Sequence, residues 1–275
     1  MDYKYIEQRG EDIVLTEIKH FVPSQVLDCG QSFRWSGDGE NYSGIAFGRR
    51  LELALESNDL ILKNVSFDEF ESIWKNYFDL GRNYGKLRQR YSVDDTLEKA
   101  MAFSPGLRLM RQDIWETLVT FILSQNSNIP RIKGMVARLC ENFGSVLPCG
   151  GYTFPAPKVL AGLSADDLSA LRSGYRADYI IDAAKRASDG RLNFSELQCM
   201  PSEDVRKSLM EVHGVGPKVA DCVLLYGFGR VERYPLDVWM KRAMADYYPN
   251  GFPEALTDTA GIAQQFLFHY IRTSR

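Results

Sequence analysis

His213-Gly214-Val215-Gly216-Pro217-Lys218-Val219-Ala220-Asp221-Cys222, with Asp237 nineteen residues past the lysine, is the stretch from which fold and chemistry are read. The two glycines can take positive φ and let a phosphate approach bare backbone N–H groups, and Pro217 presets φ for the first turn of a helix starting there. Lys218 then lies at a helix N-terminus, where the helix dipole disfavours an ammonium and suits a lysine that attacks carbon as an amine. Upstream, Val205-Arg206-Lys207-Ser208-Leu209-Met210 reads as a helix. Downstream, Val219 to Tyr226 reads as a second, strongly apolar helix ended by Gly227 and Gly229. Helix, glycine turn and buried helix make a helix-hairpin-helix pattern, although the same residues also suit an ordinary helix-turn-helix joint. In Tyr234-Pro235-Leu236-Asp237-Val238-Trp239, Pro235 interrupts regular structure and places Asp237 at the start of another helix, where an acidic residue is also a common N-cap.

Working outward, 275 residues with 45% apolar and 25% charged content describe a globular chain long enough for two domains. The longest apolar runs, Val223 to Tyr226 and Leu118 to Leu123, are far too short to cross a bilayer, and no signal peptide is read, so a prokaryotic cytoplasmic location is expected. Five cysteines (Cys29, Cys140, Cys149, Cys199, Cys222) without a CxxC pair read as reduced thiols. A net charge of −3 argues against a polyanion partner, but the charge is unevenly placed. Residues 1–98 hold 12 Lys and Arg against 18 Asp and Glu, whereas residues 99–275 hold 21 against 18. The positive charge groups around Arg108, Arg111, Arg131, Lys133, Arg172, Arg176, Lys218, Lys241 and Arg242, and a few phosphate contacts suffice for a protein that must scan and release.

Ile13 to Thr16, Ser32 to Trp35, Tyr42 to Phe47, Arg50 to Leu55 and Leu60 to Leu62 are short alternating or apolar runs split by Gly, Asn and Asp, the pattern of a one-sided antiparallel sheet. From about Phe67 the period turns helical, with Phe70, Ile73, Trp74 and Phe78 on one stripe. The fold class is therefore α+β. Residues 1–98 are expected to form an antiparallel β domain with a terminal helix, and residues 99–275 a helical core with the hairpin at about 205–227 and a catalytic loop at about 228–240.

Four further segments keep register with the hairpin: Gly30-Gln31-Ser32-Phe33-Arg34-Trp35, Leu109 to Asp113 with Ser124 to Ile132, Gly174-Tyr175-Arg176-Ala177 and Ala263-Gln264-Gln265-Phe266-Leu267-Phe268. On these residues the chain resembles the helix-hairpin-helix base-excision DNA glycosylases, and within them the 8-oxoguanine DNA glycosylase family, along nearly its whole length. The resemblance implies a TBP-like N-terminal sheet domain and a helical HhH-GPD core whose C-terminal helix completes the base pocket. It implies double-stranded DNA carrying 8-oxoguanine opposite cytosine as partner, and a monomer. The branches of this superfamily with an iron-sulfur cluster carry four clustered cysteines after the catalytic Asp. No cysteine follows Asp237, so no such cluster is expected.

The resemblance also assigns roles. A base inside a duplex must be rotated out before its glycosidic carbon can be reached. Tyr175 corresponds to the aromatic wedge, Asn126 to the residue that fills the vacated space, and Arg131 and Arg176 to arginines that hydrogen-bond the orphaned cytosine; locally, Asn126 and Asn128 also read as caps or turns. Gly30 corresponds to the glycine whose carbonyl tests N7, an acceptor in guanine and a donor in the oxidised base. Phe268 corresponds to the ring that stacks on the base, Gln264 to the amide that reads its Watson-Crick edge, and Cys222 to a pocket cysteine. Phe266 and Leu267 read as core. His213, Gly214, Gly216 and Trp239 fall on the DNA backbone, Trp239 where the animal enzymes have a histidine, and Pro130 leaves the reach of Arg131 open. His269 reads as an exposed helix residue. Lys218 attacks C1′ to form an imine that undergoes β-elimination, and Asp237 stabilises charge on the sugar. The chemistry needs no metal or cofactor; a monovalent cation on hairpin carbonyls is a further implication. Two other readings stand beside this one: a helix-hairpin-helix glycosylase for another damaged purine, and a non-catalytic helix-hairpin-helix DNA-binding protein, which would not need Lys218 together with Asp237.

Overall fold

β1 (Tyr5–Arg9) and β2 (Asp12–Thr16) open a six-stranded sheet that β3 (Trp35–Gly37), β4 (Asn41–Ala46), β5 (Arg49–Glu56) and β6 (Asp59–Lys63) complete in the order β1-β2-β6-β5-β4-β3. This is the computed structural model of the chain, and it describes residues 1–273. Ile13 and Leu15 of β2 stand opposite Leu62 and Leu60 of β6, and all four are fully buried. Burying each such side chain contributes about 1.5–3 kcal/mol. β1 was not among the strands expected from the sequence. It is an edge strand largely exposed on both faces, so Tyr-Ile-Glu-Gln-Arg carries no apolar alternation.

Contacts divide the chain into two units that do not follow the expected boundary at residue 98. One comprises Met1–Gly44, Leu51–Arg111 and the chain from Leu236 onward; the other comprises Ile45–Arg50 and Gln112–Pro235. The sequence boundary marks where sheet gives way to helix, whereas the final helix belongs with the sheet-bearing unit.

In the first unit, Phe67–Glu69, a π-turn over Phe70–Trp74 and Lys75–Tyr77 form one unbroken helical segment. Its stripe of Phe70, Trp74 and Phe78 is fully buried. Trp35 of β3 joins this stripe by donating its indole N–H to Tyr77 Oη at 2.8 Å. Gly44, opposite Trp35 in register, is required because a Cβ there would overlap the indole. Arg108, counted above with the surface cations, has no exposure at all. It donates to the carbonyls of Phe78, Asp79 and Arg82 and pairs with Asp2 at 3.0 Å, so it is a core strut with no access to a phosphate. The Ala260–Thr273 helix packs against the Asp95–Phe103 and Val238–Tyr247 helices.

The second unit is built on Ile114–Ser124, whose residues Trp115 to Leu123 are all buried. Against it lies Pro217–Cys222, which continues into a π-turn over Val223–Gly227. Phe121 stacks on Tyr226 with ring centroids 5.3 Å apart and planes 10° from parallel. The β4–β5 turn counts with this unit because Ile45 lies against Gly151 and Arg50 donates to the Cys149 carbonyl at 3.3 Å.

Candidate active site

In the second unit, Ser202–Met210 and Pro217–Cys222 are joined by a tight turn at Gly214, φ +78°. A side chain at Gly214 would overlap the Tyr179 ring as well as strain the backbone, so glycine is needed twice over. Gly216 differs from expectation: at φ −96°, ψ −179° it is ordinary extended backbone, and a Cβ there would meet nothing within 4 Å. Its value is an open approach to the helix start rather than left-handed geometry. Arg206 Nε pairs with Asp221 Oδ1 at 2.8 Å across the two helices. The turn is held from Arg176–Ser188: Asp182 Oδ2 accepts the His213 backbone N–H at 2.8 Å, and Tyr179 meets the His213 ring edge-on at 4.7 Å.

Pro217 and Lys218 occupy the first two helical positions, so the N–H groups of Lys218 and Val219 have no partner within the helix and face whatever approaches its start. The Lys218 side chain is half-buried. Its Nζ donates to Ser124 Oγ at 3.3 Å and lies 5.1 Å from the Phe121 ring centroid, and it makes no ion pair among the described residues. Cys222, one turn on, is buried.

Asn126 follows the end of Ile114–Ser124 in a left-handed conformation, φ +47°, with its side chain exposed. Asn128 has the capping role: its Oδ1 accepts the Arg131 N–H at 3.0 Å. Pro130 sits in the first turn of Ile129–Phe143, where its missing N–H costs no bond, and Arg131 is exposed. Tyr175 is 50% exposed at the start of Arg176–Ser188 and meets Tyr179 edge-on. Arg176 lies at the start of the same helix. It is only 3% exposed, and its guanidinium donates to the carbonyls of Ser173, Gln125 and Asn126. In this arrangement it braces the loop carrying Asn126 with four of its five N–H groups. Around the same loops, Gln125 Nε2, Ser127 Oγ and Ser173 Oγ are buried without a hydrogen-bond partner among the described residues.

The first unit carries the remaining candidates. Asp237 caps Val238–Tyr247, its Oδ1 accepting the Met240 N–H at 2.8 Å, while Oδ2 makes no hydrogen bond among the described residues. Leu236, Val238 and Trp239 beside it are exposed, an apolar group of the kind that marks an interaction surface. Gly30 has φ +90°. Its neighbours are fixed: Gln31, fully buried, donates to the carbonyls of Val26 and Arg108 and accepts the Met110 N–H, and Gln265 donates to Cys29 Sγ at 3.4 Å. That last contact brings the Gly30 loop against the helix bearing Gln264 and Phe268. Burial lifts the Cys29 thiol to about 11. Gln264 is 1% exposed and its Oε1 has no partner among the described residues, whereas Phe268 is half-buried. Phe266 and Leu267 are core, as read. His269 is half-buried against Phe103, not exposed, because its helix face packs on Asp95–Phe103.

Residues 13–118 match the profile of the 8-oxoguanine DNA glycosylase N-terminal domain, and residues 119–254 that of the HhH-GPD superfamily of base-excision DNA repair proteins. The N-glycosylase/DNA lyase of Saccharomyces cerevisiae is 33% identical over 255 residues, covering 82% of this chain and 68% of its own. The chain belongs to the 8-oxoguanine DNA glycosylase family. Among solved structures, MBOgg1 in complex with a low-affinity DNA ligand is 39% identical with a TM-score of 0.92, covering 100% of this chain and 99% of its own. The Clostridium acetobutylicum 8-oxoguanine glycosylase/lyase, in complex with duplex DNA containing cytosine opposite 8-oxoG, is 34% identical with a TM-score of 0.93 and the same coverage. Within this glycosylase family fold, residue reading assigned no role to Ser124, Tyr179, Asp182 or Gln265, although Ser124 and Gln265 lie in segments that keep register with the hairpin. A hydroxyl, a tyrosine, an acid and an amide at such positions are each common on helices, and only tertiary placement sets them apart.

Proposed function

We propose that this chain is a bifunctional DNA glycosylase that flips 8-oxoguanine out of duplex DNA, excises it through a Schiff base on Lys218, and nicks the strand by β-elimination. The observation that carries the reading is the Lys218 amine: half-buried, without an ion pair among the described residues, and hydrogen-bonded to a neutral hydroxyl at the start of the hairpin's second helix. The family membership supplies the substrate class.

In this reading the Nζ lone pair bonds to C1′ as the N-glycosidic bond breaks, and the bond's electron pair leaves with the base, which takes up a proton. Loss of an amine proton and opening of the sugar at O4′ give the imine. Removal of a C2′ proton then expels the 3′ phosphate, and water hydrolyses the imine to free the lysine. Asp237 uses Oδ1 for its cap and keeps Oδ2 for positive charge developing on the sugar. Gln264, with a buried carbonyl lacking a partner among the described residues, offers an acceptor to N–H groups on the Watson-Crick edge, and the Gly30 carbonyl tests N7. Tyr175 and Asn126, both exposed, enter the helix, and Arg131 addresses the estranged cytosine. No cofactor takes part. A monovalent cation on hairpin carbonyls is part of the same proposal and would do no more there than neutralise phosphate.

Duplexes carrying 8-oxoguanine opposite each of the four bases, beside one carrying an alkylated purine, test the reading. Release and nicking are expected for 8-oxoguanine opposite cytosine. Action on the alkylated base alone would overturn it.

A further inference from the structure

The Lys218 amine is held by a hydroxyl whose own proton is already committed. Ser124 Oγ donates to the Phe121 carbonyl at 2.8 Å and accepts from Lys218 Nζ at 3.3 Å. A hydroxyl has one proton, so with that proton on a backbone carbonyl the oxygen faces the amine only with lone pairs. An amine meeting such a group turns an N–H toward it and keeps its own lone pair pointed elsewhere. A hydroxyl free to rotate could instead donate into that lone pair and mask it. The carbonyl that locks Ser124 belongs to Phe121, whose ring lies 5.1 Å from Nζ and is stacked on Tyr226, so amine and hydroxyl rest on one rigid stretch of helix.

From this geometry we infer that Ser124 is a positioning residue for the glycosylase reaction: a rotationally locked acceptor that aims the lone pair of Lys218. The inference rests on Lys218 being the nucleophile. Ser124 makes no bond to substrate in this role, so its loss lowers the rate of bond formation and leaves lesion binding intact. Phe121 supplies the lock through its main chain, which side-chain substitution there cannot remove.

The test is single-turnover excision from an 8-oxoguanine:cytosine duplex by the full chain, with affinity for that duplex measured alongside, for wild type, Ser124→Ala and Ser124→Thr. Ser124→Ala is expected to excise about tenfold more slowly, the rate equivalent of one hydrogen bond, with affinity changed less than about twofold. Ser124→Thr keeps the oxygen and is expected to recover the rate to within about threefold of wild type. An alanine variant as fast as wild type, a threonine variant as slow as alanine, or equal losses in rate and affinity would each overturn the assignment. Borohydride added to wild type on the same duplex separates the two claims. Absence of a covalent adduct removes the nucleophile and the inference with it, whereas an adduct alongside an unimpaired alanine variant removes the inference alone.

Discussion

Asp237 has one carboxylate oxygen on its helix cap and one left over, so substitutions divide structural from chemical effects. Asp237→Asn keeps an acceptor for the Met240 N–H and is expected to melt close to wild type while losing about 100-fold or more in excision rate. Asp237→Ala should lose the rate and roughly 1 kcal/mol of stability as well, read by thermal unfolding. Gln264 makes the opposite case. Its buried Oε1 has no partner among the described residues, so Gln264→Met removes a desolvated acceptor and is expected to raise stability by up to about 1–3 kcal/mol while weakening lesion binding by about tenfold. A methionine variant that is both less stable and equally tight would contradict the pocket role. At this scale the sequence was most legible in local backbone chemistry: Gly214 takes positive φ, Pro217 starts a helix and Asp237 caps the next one. It was least legible for buried charge: Arg108 was grouped with the cations available to phosphate, yet it is a core strut.

The hairpin is the element on which the account turns, and Gly214 is its hinge point. Gly214→Ala forces both a left-handed alanine and an overlap with Tyr179, and is expected to cost roughly 2–5 kcal/mol in unfolding free energy while weakening binding to any duplex, damaged or not. Gly216→Ala, at ordinary φ with open space, should leave stability within about 1 kcal/mol of wild type, so the pair tests whether the two glycines do different work. Apolar periodicity foretold the buried hairpin helix and the Phe70 to Phe78 stripe because both have one face in a core. It could not foretell the π-turns at Phe70–Trp74 and Val223–Gly227, since one extra residue in a turn barely changes the pattern of apolar positions. β1 escaped because an edge strand exposed on both faces has no period to read.

For the whole molecule, a net charge of −3 means that DNA affinity depends on a few local contacts rather than on a general field. If three to five phosphates are engaged, log K for undamaged duplex should fall with log salt at a slope of about −3 to −5, measured by titration at several ionic strengths. Stability should also weaken in mild acid. Burial holds His20 and His269 below the usual histidine range, so the unfolded chain takes up their protons near pH 6.5 while the folded chain resists. Their contribution is complete above that pH and is lost as pH falls toward the folded values. The midpoint of thermal unfolding is therefore expected to drop between about pH 7.5 and about pH 5.5, and by less in His269→Gln. The packing of the final helix was the large-scale feature the sequence hid, because it lies against the Asp95–Phe103 helix more than a hundred residues upstream and no local pattern records that. The most direct measurement of the central claim is borohydride trapping on a duplex containing 8-oxoguanine opposite cytosine. Wild type should give a covalent protein–DNA adduct, and Lys218→Gln should give none while still binding the lesion; an adduct that persists without the lysine would place the chemistry on another residue.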